Sequence, residues 1–255
     1  DAHSLVCAPS AAHLFKIMSE VADRYLPGTK ELRNAVIALF RAKVSSWTLD
    51  AYSDTYLHKL LSPLQSPGAM AAVLYRAEMQ AAGKAHSLIK ENSAFSYLSM
   101  ITDQRVTPRI LFMVRDPRDM AVSWKTGPVM RGGILRAARR WRYDQEGYLR
   151  SLAQLSDTIR VNFLRYEDLL DTPSLELSRV CSEMNLPFEE SMLDFSRVSS
   201  SAKENASRSS MWKNLNRGII TENAGKYANE LDADEVAYIE AVTNPYMNAM
   251  GYSAV

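Results

Sequence analysis

One short apolar run limits the folds open to this chain more than any other feature. Ile110–Val114 is hydrophobic at every position, which is typical of a strand buried on both faces of a parallel sheet. Arg115 ends the run, and Asp116 and Pro117 then supply a helix cap and a favoured first helical residue. The stretch therefore predicts a buried strand, a sharp turn and a helix.

The same turn carries a candidate anion site. Ligands of open α/β sheets bind at the carboxyl ends of strands, which is where Arg115 stands. Ser123 lies about two helical turns beyond Asp116, at ~3.6 residues per turn, so it returns to the same helix face. A guanidinium and a hydroxyl beside helix N–H groups suit a phosphate. The competing interpretation is that Arg115 pairs with Asp116 or Asp119 and only closes the helix cap.

Apolar runs alternate with helical periodicity along the chain, which predicts βαβ units. Strands are expected near 5–8, 87–90, 110–114 and 160–164. The predicted fold class is therefore α/β, with a mostly parallel sheet and helices on both faces. The serine-rich stretch 196–210 is typical of a flexible loop. Because no internal repeat or linker is visible, the 255 residues are expected to form one domain.

Composition argues against several functional classes. The net charge of +1 is unlike that of a general nucleic-acid or membrane-surface binder. No apolar run reaches the length of a membrane span, and no signal peptide is visible. The 2 cysteines and 4 histidines are scattered and form no C-x-x-C pattern. Neither a zinc site nor a disulfide framework is indicated, and a cytoplasmic setting is expected.

The stretch from Arg115 to Ser123 resembles the 3′-phosphate-binding motif of sulfotransferases that use 3′-phosphoadenosine 5′-phosphosulfate (PAPS). In that family a strand runs into R-[DN]-P-x-D, and a serine follows the arginine with the spacing of Arg115 and Ser123. The resemblance implies a P-loop-NTPase-like sulfotransferase fold and PAPS as co-substrate. It also implies metal-free transfer of a sulfuryl group to a hydroxyl of a carbohydrate, lipid or small-molecule acceptor.

Three later segments extend the resemblance. Phe163–Leu170 contains Y-E-D-L, and Tyr166 stands where the family has a tyrosine near the adenine; otherwise Tyr166 is a packed aromatic. Gly225–Tyr227 resembles the family's G-K-W segment, in which Lys226 would close over the 3′-phosphate. Met250–Tyr252 resembles the L-G-Y signature of the last helix.

Catalytic candidates come from the first part of the chain. Lys90 stands where the family has a lysine that neutralises charge on the transferring group, although a lone lysine is commonly a solvated surface residue. His13 lies in S-A-A-H-L-F, which resembles E-P-H-F-F of carbohydrate sulfotransferases, with Ala11 at the glutamate position. Histidine can accept a proton near neutral pH, so His13 is the preferred general base and His86 the alternative.

One family element has no counterpart in the sequence. The P-[KR]-[SA]-G-[TS]-[TS] loop, which holds the 5′-phosphosulfate, is not found, and 27–30 is only superficially similar because it lies between two helix patterns. Residues 1–15 resemble the family segment that comes after that loop and its helix, so the first strand and loop are expected to precede Asp1. Two other functions stay open: a nucleotide-dependent kinase of similar architecture, and a non-catalytic binding module that lost the loop.

Overall fold

The structure is a computed structural model that describes residues 2–43, 46–102, 108–127, 132–155, 159–199, 214 and 217–254. These residues divide into two compact units. The first unit contains the described residues up to Pro108 together with 197–199, and the second contains those from Arg109 to Ser196 and from 214 onward.

The first unit is mostly helical, with one short parallel ladder. Strands β1 (Val6–Cys7) and β2 (His86–Ser87) pair in parallel, with Val6 opposite His86. The α-helices of this unit are α1 (Leu14–Val21), α2 (Lys30–Arg41), α3 (Asp54–Leu61), α4 (Pro67–Ala81) and α5 (Leu98–Thr102). Short 3-10 helices cover Ala22–Arg24, Thr48–Ala51 and Ala94–Tyr97.

Hydroxyl caps set where the helices of this unit begin. Thr29, Ser53 and Ser66 each accept a hydrogen bond from the N–H three residues further on, at the starts of α2, α3 and α4. Gly28 adopts φ 69°, a left-handed conformation that glycine tolerates without strain. Residues 27–30 are therefore a helix-starting turn between two helical segments, as the sequence indicated, and not a phosphate loop after a strand.

The second unit is built on a longer parallel ladder. Strands β3 (Ile110–Val114) and β4 (Val161–Arg165) pair in register, from Ile110 opposite Val161 to Val114 opposite Arg165. From β3 onward the α-helices are α6 (Pro117–Thr126), α7 (Gly133–Leu152), α8 (Tyr166–Asp171), α9 (Pro173–Glu183), α10 (Phe195–Val198), α11 (Tyr227–Glu230) and α12 (Ala233–Met247). Short 3-10 helices cover Glu190–Met192, Thr221–Asn223 and Asn248–Met250.

The core of the second unit reaches the end of β3. Val114, the last residue of that strand, packs with Trp141 of α7 and with Met247 of α12. The indole Nε1 of Trp141 also donates a 2.7 Å hydrogen bond to the backbone oxygen of Arg115. Burial of a large aromatic side chain with its polar atom satisfied fixes the turn after β3 against the rest of the unit.

The prediction of an α/β fold with parallel strands is confirmed, and the strand at 110–114 has its predicted bounds. The strand predicted near 87–90 lies instead at His86–Ser87, because the backbone pairs with β1 only at those two residues. The described strands form two separate two-stranded ladders, so one larger sheet with helices on both faces stays a prediction, as does the single domain. The prediction of a flexible loop over 196–210 is wrong at 196–198, which are helical in α10, and 200–210 lie outside the described residues. In the described part of the chain, no helix is long and apolar enough to cross a membrane.

Candidate functional site

Arg115 and Ser123, the two residues that the sequence paired by spacing, meet in the structure. Nη1 of Arg115 donates to Oγ of Ser123 at 3.4 Å, and that hydroxyl donates to the backbone oxygen of Asp119 at 3.2 Å. Nη2 of Arg115 donates to the backbone oxygen of Asn223 at 2.5 Å. A guanidinium and a hydroxyl thus lie together at the carboxyl end of β3, where a phosphate was expected.

The helix cap is closed by another arginine. Arg118 contacts Asp116 through Nη2 and Oδ2 at 2.7 Å and Glu240 through Nη1 and Oε1 at 2.8 Å, and its side chain is only 6% exposed. Burial lowers the pKa of Arg118, but the hydrogen bond and charge of Asp116, with a hydrogen bond to Glu240, outweigh it and raise the pKa above its ordinary value. Arg118, and not Arg115, therefore closes the helix cap with Asp116. The interpretation in which Arg115 serves only to close the cap no longer applies.

Capping also reduces the number of free backbone N–H groups with which the start of α6 could bind an anion. Asp116 accepts the backbone N–H of Arg118 at 2.8 Å, which satisfies one of the free donors at the start of α6. An anion beside Arg115 and Ser123 would consequently be held by side chains more than by the N–H groups that the sequence suggested.

The Y-E-D-L and M-G-Y segments converge on the same turn. The guanidinium carbon of Arg115 lies 4.8 Å from the centre of the Tyr166 ring, within cation–π range. Glu167 accepts the backbone N–H of Asp116 at 2.9 Å with one oxygen and the hydroxyl of Tyr252 at 2.7 Å with the other. Burial, followed by the carboxylate of Glu167, raises the pKa of Tyr252. Tyr252 and Glu167 therefore hold the turn that presents Arg115.

Lys226 belongs to a segment that is tied to α6 on both sides of the lysine. The carboxylate of Asp119 accepts the N–H of Gly225 at 2.7 Å and that of Tyr227 at 3.0 Å. The guanidinium carbon of Arg118 lies 4.2 Å from the centre of the Tyr227 ring. The side chain of Lys226 makes no hydrogen bond or ion pair with any residue in the described ranges. All four motif segments thus meet around Arg115 within the second unit.

One donor of Arg115 lacks a partner in the described part of the chain. Nε of Arg115 is buried and has no hydrogen-bond partner among the described residues. An unpartnered buried donor is costly, and a phosphate oxygen would satisfy it. The hydroxyl of Ser123, by contrast, already donates its hydrogen to the backbone oxygen of Asp119 in the described structure.

His13 lies in the first unit, beside a carboxylate that the sequence did not single out. It is the N-cap of α1 in a left-handed conformation, φ 49° and ψ 44°, which is uncommon for a residue with a side chain. Its Nδ1 is 3.5 Å from Oε2 of Glu91, whose side chain is only 4% exposed. Glu91 also accepts the N–H of Phe15 at 3.0 Å and the hydroxyls of Tyr75 and Tyr97 at 3.0 and 3.1 Å.

The environment of Glu91 is unlike that of its neighbour in the sequence. Burial, followed by the charge of Glu91, raises the pKa of Tyr75, so this hydroxyl stays protonated as a donor. Lys90 and His86, by contrast, are exposed, and neither side chain makes a hydrogen bond or ion pair in the part of the chain that is described. The structure thus brings Glu91, and not Lys90, to His13.

Comparisons with known proteins give the family of the chain. Residues 1–190 match the family model described as "Sulfotransferase family". The sulfotransferase domain from the curacin biosynthetic pathway is similar in structure, with 19% identity and a TM-score of 0.60, covering 100% of this chain and 91% of that one. The sulfotransferase domain of the Synechococcus PCC 7002 olefin synthase has 16% identity, a TM-score of 0.61 and coverages of 94% and 86%. No curated protein matches the chain.

Proposed function

We propose that this chain, which belongs to the sulfotransferase family, transfers a sulfuryl group from PAPS to a hydroxyl group of a carbohydrate, lipid or small-molecule acceptor. The observation that carries the proposal is the contact between Arg115 and Ser123 at the end of β3. The family match gives the reaction class, and this contact supports a 3′-phosphate site at the end of β3.

The donor would be bound by the side chains around that contact. Arg115, with its unpartnered Nε, and Ser123 hold the 3′-phosphate, and Lys226 adds a second positive charge. Tyr166 lies beside the adenine, and its contact with Arg115 supports a place in the same site. Charged hydrogen bonds contribute about 1.5–3 kcal/mol each, so these side chains can account for selection of the 3′-phosphate.

PAPS supplies a sulfuryl group that is already activated as an anhydride, so the protein mainly has to position groups and move one proton. As the acceptor oxygen bonds to sulfur and the S–O bond of the anhydride breaks, His13 takes the acceptor's proton on Nε2. Glu91 supports this assignment through its charge: its carboxylate lies 3.5 Å from Nδ1, without a hydrogen bond in the described residues, and a negative charge there favours a proton on Nδ1. The proton thus ends on His13, and adenosine 3′,5′-bisphosphate leaves.

Lys90 is proposed to stabilise charge at the transferring group and the bridging oxygen. What supports this role is that its exposed ammonium has no ion-pair partner within the described ranges and is therefore available. The finer architecture is proposed with the function: one P-loop-NTPase-like domain over 1–255, with a mostly parallel sheet and helices on both faces. The parallel pairing in both ladders and the likeness to two sulfotransferase domains support it.

The test is a comparison of two nucleotides by calorimetry, followed by a transfer assay. We expect the chain to bind adenosine 3′,5′-bisphosphate and to bind ATP with Mg²⁺ far more weakly. Preference for ATP with Mg²⁺ would overturn the proposal in favour of a kinase. Binding of the bisphosphate without transfer from PAPS to any of a panel of sugar, lipid and phenolic hydroxyls would identify a binding module.

A further inference from the structure

Asp119 is a buried carboxylate whose contacts reach two parts of the proposed phosphate site. It is fully buried, at 0% exposure, in the first turn of α6. Its two side-chain oxygens accept the N–H groups of Gly225 and Tyr227, the residues on either side of Lys226. Its backbone oxygen accepts the hydroxyl of Ser123. One residue therefore links the serine and the lysine expected to bind the same phosphate.

The segment 221–230 has little else in the described residues to hold it in place. Its helical parts are Thr221–Asn223 and Tyr227–Glu230, too short to be stable by themselves. Gly225 is exposed and adopts φ 71°, and a side chain there would meet no atom within 4 Å. The contacts with α6 and with Arg115 are therefore what fix the backbone of Lys226, and the shortest bond with α6 is made by Asp119.

We propose that Asp119 is a positioning residue for recognition of the 3′-phosphate. By fixing the backbone on both sides of Lys226, it holds the lysine ammonium beside the guanidinium of Arg115 and the hydroxyl of Ser123. A lysine side chain has many rotamers, so a fixed backbone lowers the entropy lost when its ammonium contacts a phosphate. The inference rests on the proposed function, because it concerns the same phosphate.

The test uses two ligands that differ by that phosphate. Affinities for adenosine 3′,5′-bisphosphate and adenosine 5′-monophosphate are measured by calorimetry for the wild type and for Asp119→Asn. We expect the substitution to lower bisphosphate affinity about tenfold and monophosphate affinity less than about twofold, since one charged contact is lost. Asp171→Asn is the matched control, because Asp171 is exposed and the change removes the same charge. It should leave the affinity ratio unchanged.

A second pair of variants tests the segment 221–230 at an exposed glycine. Gly225→Ala strains the left-handed backbone next to Lys226 without a clash, and Gly83→Ala does the same at φ 65° in the first unit. We expect only Gly225→Ala to lower the preference for the bisphosphate. Because Gly225 is exposed, this variant gives an answer even where Asp119→Asn fails to fold.

A double variant that combines Asp119→Asn with Lys226→Met distinguishes positioning of Lys226 from a general contribution of Asp119 to the stability of the fold. If Asp119 acts through Lys226, the double variant loses no more bisphosphate affinity than Lys226→Met alone. Additive losses, or an unchanged ligand preference in both Asp119→Asn and Gly225→Ala, would overturn the inference. A wild type that binds both nucleotides equally would instead overturn the proposed function, so the two failures are distinguishable.

Discussion

In each unit, a glutamate that follows a parallel strand ties a tyrosine hydroxyl to the first turn of a helix. In the first unit, Glu91 accepts the hydroxyl of Tyr75 and a backbone N–H in the first turn of α1. In the second, Glu167 accepts the hydroxyl of Tyr252 and the N–H of the residue that caps α6. Both carboxylates therefore fix a helix start by accepting hydrogen bonds from neutral donors.

The two glutamates differ in what lies beside them. Glu91 lies 3.5 Å from Nδ1 of His13, a side chain that can exchange a proton. The helix start that Glu167 holds is next to Arg115, a permanent cation whose Nε has no partner in the described part of the chain. In the proposed function, the same arrangement of carboxylate, tyrosine and helix start would support a proton-transfer group in one unit and an anion-binding group in the other. The neighbouring side chain, and not the framework, would then decide the chemistry.

The largest expected effect tests the proton-transfer half of this comparison. His13→Ala should lower turnover about 10²–10⁴-fold, because a general base contributes that much to proton removal in the transition state. Its affinity for adenosine 3′,5′-bisphosphate should stay within about twofold, since the anion-binding side chains belong to the second unit. Steady-state turnover and calorimetry on the same preparations provide both values. Full activity in His13→Ala, with loss in His86→Ala, would move the base to His86.

The next effect concerns the ion pairs that frame the anion site. Arg118→Met removes the cation that contacts the buried carboxylate of Asp116, so we expect the free energy of unfolding to fall by about 3–5 kcal/mol. Arg150→Met is the control, because the pair of Arg150 with Glu146 is exposed and should contribute less than about 1 kcal/mol. Urea unfolding measures both. Equal losses would mean that the second unit does not depend on its buried charges.

These contacts also show how far the sequence could be interpreted. The contact of Arg115 with Ser123 follows from local geometry, because a strand, a cap and two helical turns set their positions within a few residues. The contact of Asp119 with Gly225 joins residues 106 apart, and that of Glu91 with Phe15 joins residues 76 apart. Neither periodicity nor spacing reports such tertiary contacts, although the motif did mark Asp119 as a carboxylate in the first turn of α6.

The first unit was harder to predict for a related reason. Its strands have only two residues each, so alternation along them is too short to show which side chain after β2 turns inward. Lys90 was singled out by its resemblance to a family lysine, while the buried partner of His13 is the next residue, Glu91. In the second unit the strands have five residues, so the sequence pattern shows more clearly where each strand ends. Its four motif segments do come together.

A smaller effect tests the anion-binding half of the comparison. Arg115→Ala should weaken binding of adenosine 3′,5′-bisphosphate at least about tenfold, the effect of losing a charged hydrogen bond to a phosphate. Arg139→Ala is a matched control, since Arg139 is exposed on α7 and makes no ion pair or hydrogen bond in the described residues. Calorimetry that gives Arg115→Ala the affinity of the wild type would remove Arg115 from the site.

The smallest expected effect concerns the buried tyrosine whose hydroxyl each of the two glutamates accepts. Burial, and then the neighbouring carboxylates, raise the pKa of Tyr75 and of Tyr252. The unfolded chain releases these protons near pH ~10, whereas the folded protein keeps them to higher pH. The stability from each hydroxyl is therefore fully present below pH ~10 and is lost as the pH rises from there towards the folded pKa.

By linkage, ionisation of each tyrosine in the unfolded chain should lower the free energy of unfolding by about 1 kcal/mol between neutral pH and pH ~10.5. Tyr75→Phe and Tyr252→Phe should each reduce the alkaline loss by that amount, and the double variant by about twice as much, because the two hydroxyls belong to different units. Tyr25→Phe, on the surface of the first unit, should keep the wild-type slope. Urea unfolding at a series of pH values measures all four proteins against the wild type. If only one of the two buried tyrosines changes the slope, the other glutamate does not hold its tyrosine as a protonated donor, and the likeness between the units is one of geometry alone.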